Sequence, residues 1–265
     1  MNILEEIFAY KRLEVAAAKE AVPASEIQTQ VADLPAVPNF AAALRNPDLP
    51  APRLIAEVKH RSPSKGILAD PFEPLELART YATNGAAAIS VLTDKKYFGG
   101  SLDYLLQIAE LDLGVPLLRK DFIFDEYQLL EARVAGASAA LLIVGMLSKE
   151  ELTTLINAAN ELSLTALVEV HDEKELELAL TSNAKVLGIN NRDLRDFSVS
   201  LETTERLRPL IPAGITVVAE SGIKSQEDIA RLAEAGVQAM LVGEALVTAD
   251  DVSQKVRGLT RVAVP

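Results

Sequence analysis

Short apolar runs recur along the chain, each followed by polar residues and then by a stretch of helical periodicity. They are RLIAEVK (53–59), AAISVLT (87–93), VPLLRKD (115–121), AALLIVG (139–145), LTALVEV (164–170), KVLGINN (185–191), ITVVAES (215–221) and QAMLVGE (238–244). Near-continuous hydrophobic strands separated by helices predict a parallel sheet with helices covering its faces. An internal echo supports that reading: NGAAAISV, AGASAALLIV and AGVQAMLVG each end a helix with glycine and enter a strand through small residues. Their glycines, Gly85, Gly136 and Gly236, lie 51 and 100 residues apart, about two and four strand-helix modules of roughly 25 residues. Eight such modules predict a single-domain α/β protein, a (β/α)8 TIM barrel spanning residues 1–265. A doubly wound sheet would more often carry GxGxxG after its first strand, and no strand here is followed by one. The first 50 residues, with Pro23, Pro35, Pro38, Pro47 and Pro50, are expected to form one or two extra helices covering part of the barrel.

The bulk numbers narrow the partners. A hydrophobic fraction of 49% with 24% charged residues is that of a soluble globular chain. The formal net charge of −12 argues against nucleic-acid or anionic-membrane partners, which require a basic surface, so an anionic ligand must meet local positive charge. The absence of cysteine removes thiol chemistry and fits a cytoplasmic location. MNILEEIFAYKRLEVAAAKE reads as an amphipathic helix, since Glu5, Glu6, Lys11 and Arg12 interrupt any signal-peptide core. AGASAALLIVGML is too short to span a bilayer. An acidic surface fits a monomer.

The chemistry stands at the strand ends. In a barrel the C-terminal ends of the strands converge on one mouth, and residues two apart on a strand share a face. Glu57 with Lys59, then Lys120, Glu169, Asn190, and Glu220 with Ser221, end five of the eight runs, placing three carboxylates and two lysines around one small volume. Like charges raise carboxylate pKa values and lysines lower them, which poises groups for proton transfer near neutral pH. Gly222 in ESGI and Gly243 in VGEAL fall in the loops after strands seven and eight, where this fold repeatedly binds phosphate through backbone N–H groups. The two histidines, His60 and His171, have no partners at metal-ligand spacing, so they are expected to be solvated loop residues and no metal site is expected. HDEKELEL (171–178) is expected to open a helix with acids at its positive end.

IAEVK followed by SPSKG, then LLRKDFIFDEYQL, LVEVH, LGINNRDL, VAESGI and MLVGEAL, in this order and at these separations, resembles the indole-3-glycerol phosphate synthase family over essentially the whole chain. The resemblance implies conversion of 1-(2-carboxyphenylamino)-1-deoxyribulose 5-phosphate to indole-3-glycerol phosphate, with loss of carbon dioxide and water and without a cofactor. It implies that Lys120 is the general acid at the substrate ketone and that Lys59 pairs with the phosphate or assists protonation. Glu169 is then the base of the dehydration step, and Glu57 stabilises positive charge. Asn190, Arg192 and Ser221 would hold the anthranilate carboxylate, while Glu220 and Phe122 line the pocket. Ser62, Gly222, Gly243 and the backbone N–H of Glu244 would cradle the phosphate, the Glu244 side chain turning away. Two rivals are weighed: a phosphoribosylanthranilate isomerase, whose Cys and Asp chemistry has no cysteine here, and a barrel that only binds a phosphorylated metabolite, which would not need Lys120 and Glu169.

Overall fold

A computed structural model describes residues 3–45, 52–193 and 197–260. All eight apolar runs are strands: β1 Arg53–Val58, β2 Ala88–Leu92, β3 Leu117–Lys120, β4 Ala139–Ile143, β5 Thr165–Val170, β6 Val186–Asn190, β7 Thr216–Glu220 and β8 Ala239–Val242. Each pairs in parallel with its neighbours in sequence, and β1 pairs with both β2 and β8, so the sheet closes into a barrel. Ile55 stands opposite Ala88 on one side and Leu241 on the other.

Alternation along the strands sorts the apolar residues into two cores. Ile55, Ala88, Leu118, Leu141, Leu167, Val186, Val218 and Leu241 form one cluster inside the barrel. Leu54, Val58, Ile89, Leu117, Leu142, Val168, Leu187 and Val217 pack outward under the helices. The inward set fixes the site, because the residue two positions beyond an inward core residue shares its face. Ile55 leads to Glu57, Leu118 to Lys120, Leu167 to Glu169, and Val218 to Glu220.

Several helices begin where side chains can cap them. Asp125, Ser148, Asp172 and Ser225 each accept a hydrogen bond from the first-turn N–H groups of the following helix, worth about 1 kcal/mol apiece. Gly85, Gly136 and Gly236 all have positive φ, the left-handed conformation that closes a helix without a Cβ penalty. The acidic stretch after His171 does open a helix, Glu173–Thr181, with Asp172 as its cap.

Among the described residues the extension holds three helices rather than one or two: α1 Ile3–Ala21, α2 Ala24–Ala32 and α3 Phe40–Leu44. Pro35 and Pro38 keep the intervening chain out of helix, and the Asn39 side chain then caps a new short one through the N–H of Ala42. Pro47 and Pro50 lie outside the described residues. Phe40 and Leu44 of α3 and Ile7 and Phe8 of α1 join the cluster inside the barrel, Phe8 meeting Phe122 edge to face at 5.6 Å. Val15 of α1 and Ile27 of α2 pack on Tyr127, in the helix after β3. Among the described residues no helix is long and apolar enough to cross a membrane.

Candidate active site

Lys120 ends β3 with its Nζ 3.2 Å from Glu169 Oε2 and 3.0 Å from Glu220 Oε2. Both carboxylates are buried, at 2% exposure each, so one ammonium is shared between two acids that lack bulk water. Asn190 donates from Nδ2 to Glu169 Oε1 at 3.1 Å, and its own Oδ1 accepts the backbone N–H of Arg192 at 3.0 Å. Across the mouth, Glu57 pairs with Lys59 at 2.6 Å, as expected of residues two apart on a strand end.

These contacts bias the protonation states. Burial alone would drive the Lys120 proton off, but the charges of Glu220, Glu169 and Glu57 outweigh it and hold the ammonium protonated. Burial pushes Glu220 upward, and Glu169 and Glu57 add to that push, so its pKa stays raised despite Lys120. Burial also opposes ionisation of Glu169, yet Lys120, His171 and the Asn190 amide overcome it and leave its pKa lowered. The cluster therefore offers a charged donor, an ionised acceptor and a carboxyl that takes up a proton readily.

All thirteen residues singled out in the sequence line one cavity of about 770 Å³ at the C-terminal mouth of the barrel. Ser62 belongs to a small hairpin, Arg61–Ser62 with Gly66–Ile67, and its buried hydroxyl has no hydrogen-bond partner. Phe122 forms part of the apolar wall, 5.9 Å from the Phe98 ring. Ser221 and Gly222 follow β7 with φ of 67° and 82°, and a Cβ at Gly222 would press on Val199 at 2.6 Å. Gly243 precedes the short helix Glu244–Val247. The Glu244 carboxylate is 3.9 Å from Lys65 Nζ. Leu194, the last residue of the LGINNRDL stretch, lies outside the described residues.

Several residues of the site went unread in the sequence. Gly188 leaves its inner face empty for Glu220, whose Oε1 would clash with a Cβ there, and Gly243, read in the sequence only as a phosphate contact, makes the same room for Glu57 Oε2. Asn191 donates to the carbonyls of Glu220 and Ser221 at 3.0 and 3.1 Å while accepting from Thr204, which fixes the end of β7. Lys65, Lys224 and Lys255 line the cavity near Gly222 and Gly243 and supply the local positive charge that an acidic chain needs for an anion; Ile3, Leu4 and Ile7 of α1 add an apolar edge. Only pairing across the barrel identifies these, and a single strand's pattern does not carry that information.

The histidines correct an expectation. His171 is not solvated: its ring lies 3.4 Å from Glu169 Oε1 and 3.0 Å from Glu175 Oε2. His60 stacks on Phe72 with ring centroids 4.8 Å apart. His171 directly follows the end of β5 and His60 lies two residues beyond the end of β1, so the fold turns both against neighbours. Among the described residues no cluster of acidic or histidine side chains is grouped to hold a metal ion.

Comparison with known proteins decides the family. The model of the indole-3-glycerol phosphate synthase family matches residues 4–259. The chain belongs to that family. The indole-3-glycerol phosphate synthase of Dehalococcoides mccartyi is 50% identical over 260 residues, covering 97% of this chain and 99% of that protein. That of a Roseiflexus species is 50% identical over 265 residues, covering 97% and 98%. Among solved structures, 3-hexulose-6-phosphate synthase from Salmonella typhimurium superposes with a TM-score of 0.66 at 15% identity over 79% of this chain and 97% of that one. Thiamine phosphate pyrophosphorylase from Pyrococcus furiosus gives 0.59 at 19% identity over 78% and 93%. At that identity the likeness concerns the barrel alone.

Proposed function

We propose the following division of labour for the reaction of this family that the chain catalyses, a decarboxylating ring closure in tryptophan biosynthesis. Lys120, charged and aimed into the mouth, donates a proton to the ketone oxygen of 1-(2-carboxyphenylamino)-1-deoxyribulose 5-phosphate as the aromatic carbon attacks the carbonyl carbon. Loss of carbon dioxide restores the aromatic ring. Dehydration then releases the former ketone oxygen as water, its second proton again coming from Lys120, while Glu169 accepts the proton lost from the carbon beside the ring nitrogen as the new double bond forms. Glu220, 3.0 Å from Lys120 Nζ and with a raised pKa, returns a proton to the lysine.

The substrate-binding roles rest on the same cavity. Ser62, Gly222, Gly243, the N–H of Glu244 and the Lys59 ammonium are assigned to the phosphate; the unpartnered Ser62 hydroxyl and the lysine rim support this. Asn190, Arg192 and Ser221 are assigned to the anthranilate carboxylate, Phe122 to the ring, and Glu57 to balancing positive charge. No cofactor enters the scheme. The working unit we assign is one chain acting as one domain in the cytoplasm, without nucleic-acid or membrane partners. Its support is that α1 and the barrel line the cavity together and that the net charge is −12.

The observation that carries the assignment is the Lys120 ammonium held between Glu169 and Glu220. Purified protein should scatter light as a single 28.5 kDa chain and give indole fluorescence when the substrate is added. Lys120→Ala should lower kcat by roughly 10²- to 10⁴-fold with little change in substrate affinity, because a general acid acts chiefly in the transition state. Substantial residual turnover would transfer the role to Lys59.

A further inference from the structure

His171 has no place in the roles above, yet it is built into the site. β5 ends at Val170, and the chain turns so that the ring returns toward Glu169. Glu175, one turn into the next helix, fixes the residue twice: its Oε2 accepts the His171 backbone N–H at 2.7 Å and lies 3.0 Å from Nδ1. Room for that carboxylate exists because the chain has glycine at 145, where a Cβ would stand 2.7 Å from Glu175 Oε1. With Nδ1 engaged by a carboxylate, the proton on that nitrogen is fixed and Nε2 is directed at Glu169. Nε2 is buried, makes no hydrogen bond of ordinary geometry, and lies 3.4 Å from Glu169 Oε1. Lys120 holds the other oxygen of the same carboxylate.

We propose that His171, oriented by Glu175, is a positioning residue for Glu169, which it holds at Oε1 and, as a cation, keeps ready to accept the substrate's proton. The functional part of this inference rests on the assignment of Glu169 as the dehydration base. The charged groups facing the ring are Glu169 from its own strand, Glu175 from the helix Glu173–Thr181 and, farther off, Glu220 from β7, with Lys120 beyond Glu169. Burial disfavours the imidazolium, and the three carboxylates outweigh it, so the His171 pKa is raised. Reciprocity requires that the cation lower the pKa of Glu169 in turn.

Two measurements test this. The chain contains two histidines, so imidazole ¹⁵N resonances can be assigned with the single variant His60→Gln and titrated by NMR. His171 should titrate above the ordinary histidine value, and Glu169→Gln should lower its midpoint. In turnover, His171→Gln keeps an N–H donor and loses the charge. Its KM should stay within about twofold, and the acid limb of its kcat profile should move to higher pH by about one unit or more. Glu175→Gln should move the limb the same way, and His171→Leu should lose a further tenfold or so in kcat. A His171 midpoint that ignores Glu169→Gln would overturn the inference, and so would kcat profiles of His171→Gln and Glu175→Gln that superimpose on the parent. If Glu169→Gln instead retains full turnover, the base assignment fails, and only the pairing seen by NMR survives.

Discussion

At the inner face of β6 the position of a Cβ on residue 188 is already taken by the Glu220 carboxylate, and that carboxylate in turn holds Lys120. Three charged groups buried together are costly, several kcal/mol per ion before their mutual attraction is counted. On the proposed roles the arrangement persists because donor and acceptor must face one cavity. Gly188→Ala should therefore displace the Glu220 side chain and misplace Lys120. We expect kcat to fall by roughly 10²-fold, the cost of a misplacement of about 1 Å, with a midpoint of urea unfolding close to the parent's because the far end of a flexible side chain moves. Parental kcat in a folded Gly188→Ala protein would mean that Glu220 does not position Lys120. Glu57, Lys120, Glu169, Asn190 and Glu220 were legible one by one, as polar residues ending apolar strands. Gly188 and Asn191 were not, because a glycine within an apolar run looks like any small residue until the neighbouring strand's carboxylate is seen beside it.

At the scale of elements, the helix that precedes the barrel is tied to the strand end that carries Lys120. Lys11 of α1 is 1% exposed and lies 2.9 Å from Asp94, 3.1 Å from Asp121 and 3.0 Å from Glu14. Asp121 is the residue after Lys120 and is also paired with Arg119 at 3.1 Å. Burial works against the Lys11 charge, and the neighbouring carboxylates overcome it, raising its pKa. Lys11→Met keeps the length of the side chain but leaves Asp94 Oδ2 facing no cation. Breaking such a pair costs about 3–5 kcal/mol, here toward the lower figure since Asp121 retains Arg119. Urea unfolding should register that loss, and KM should rise because Ile3, Leu4 and Ile7 on the same helix line the cavity. Unchanged stability would show that α1 is held by its other contacts, Ile7, Phe8 and Val15 among them, without the Lys11 ion pairs. The sequence identified α1 as amphipathic but grouped Lys11 with its charged residues, since helical periodicity cannot reveal acids contributed by β-strand ends far along the chain.

Over the whole molecule, eight repeats of one pattern produce one barrel, and closure gathers residues from five strands into a single mouth. That much was readable: the strand runs, the helix-ending glycines and the apolar-to-charged switch all repeat with the module, and repetition makes a weak local signal strong. What repeats only once, such as the Ser62 hairpin, the three-helix extension and the lysine rim, had no second copy to reveal it. Under the proposed assignment the rim gives a chain of net charge −12 its place for a phosphate: Lys59, Lys65, Lys224 and Lys255 face one cavity, so the positive field there is local. Strand order then separates the chemistry. Lys120 on β3 and Glu169 on β5 are joined at 3.2 Å but enter the mouth from different strands, which suits the proposed proton donation in ring closure and proton acceptance in dehydration. Glu169→Gln preserves shape and hydrogen bonding and cannot accept the proton. In a single turnover of that variant, followed for carbon dioxide and indole absorbance separately, gas release should keep the parent's rate while the chromophore lags behind it. If both signals slow together from the start, or neither slows, Glu169 is not the dehydration base.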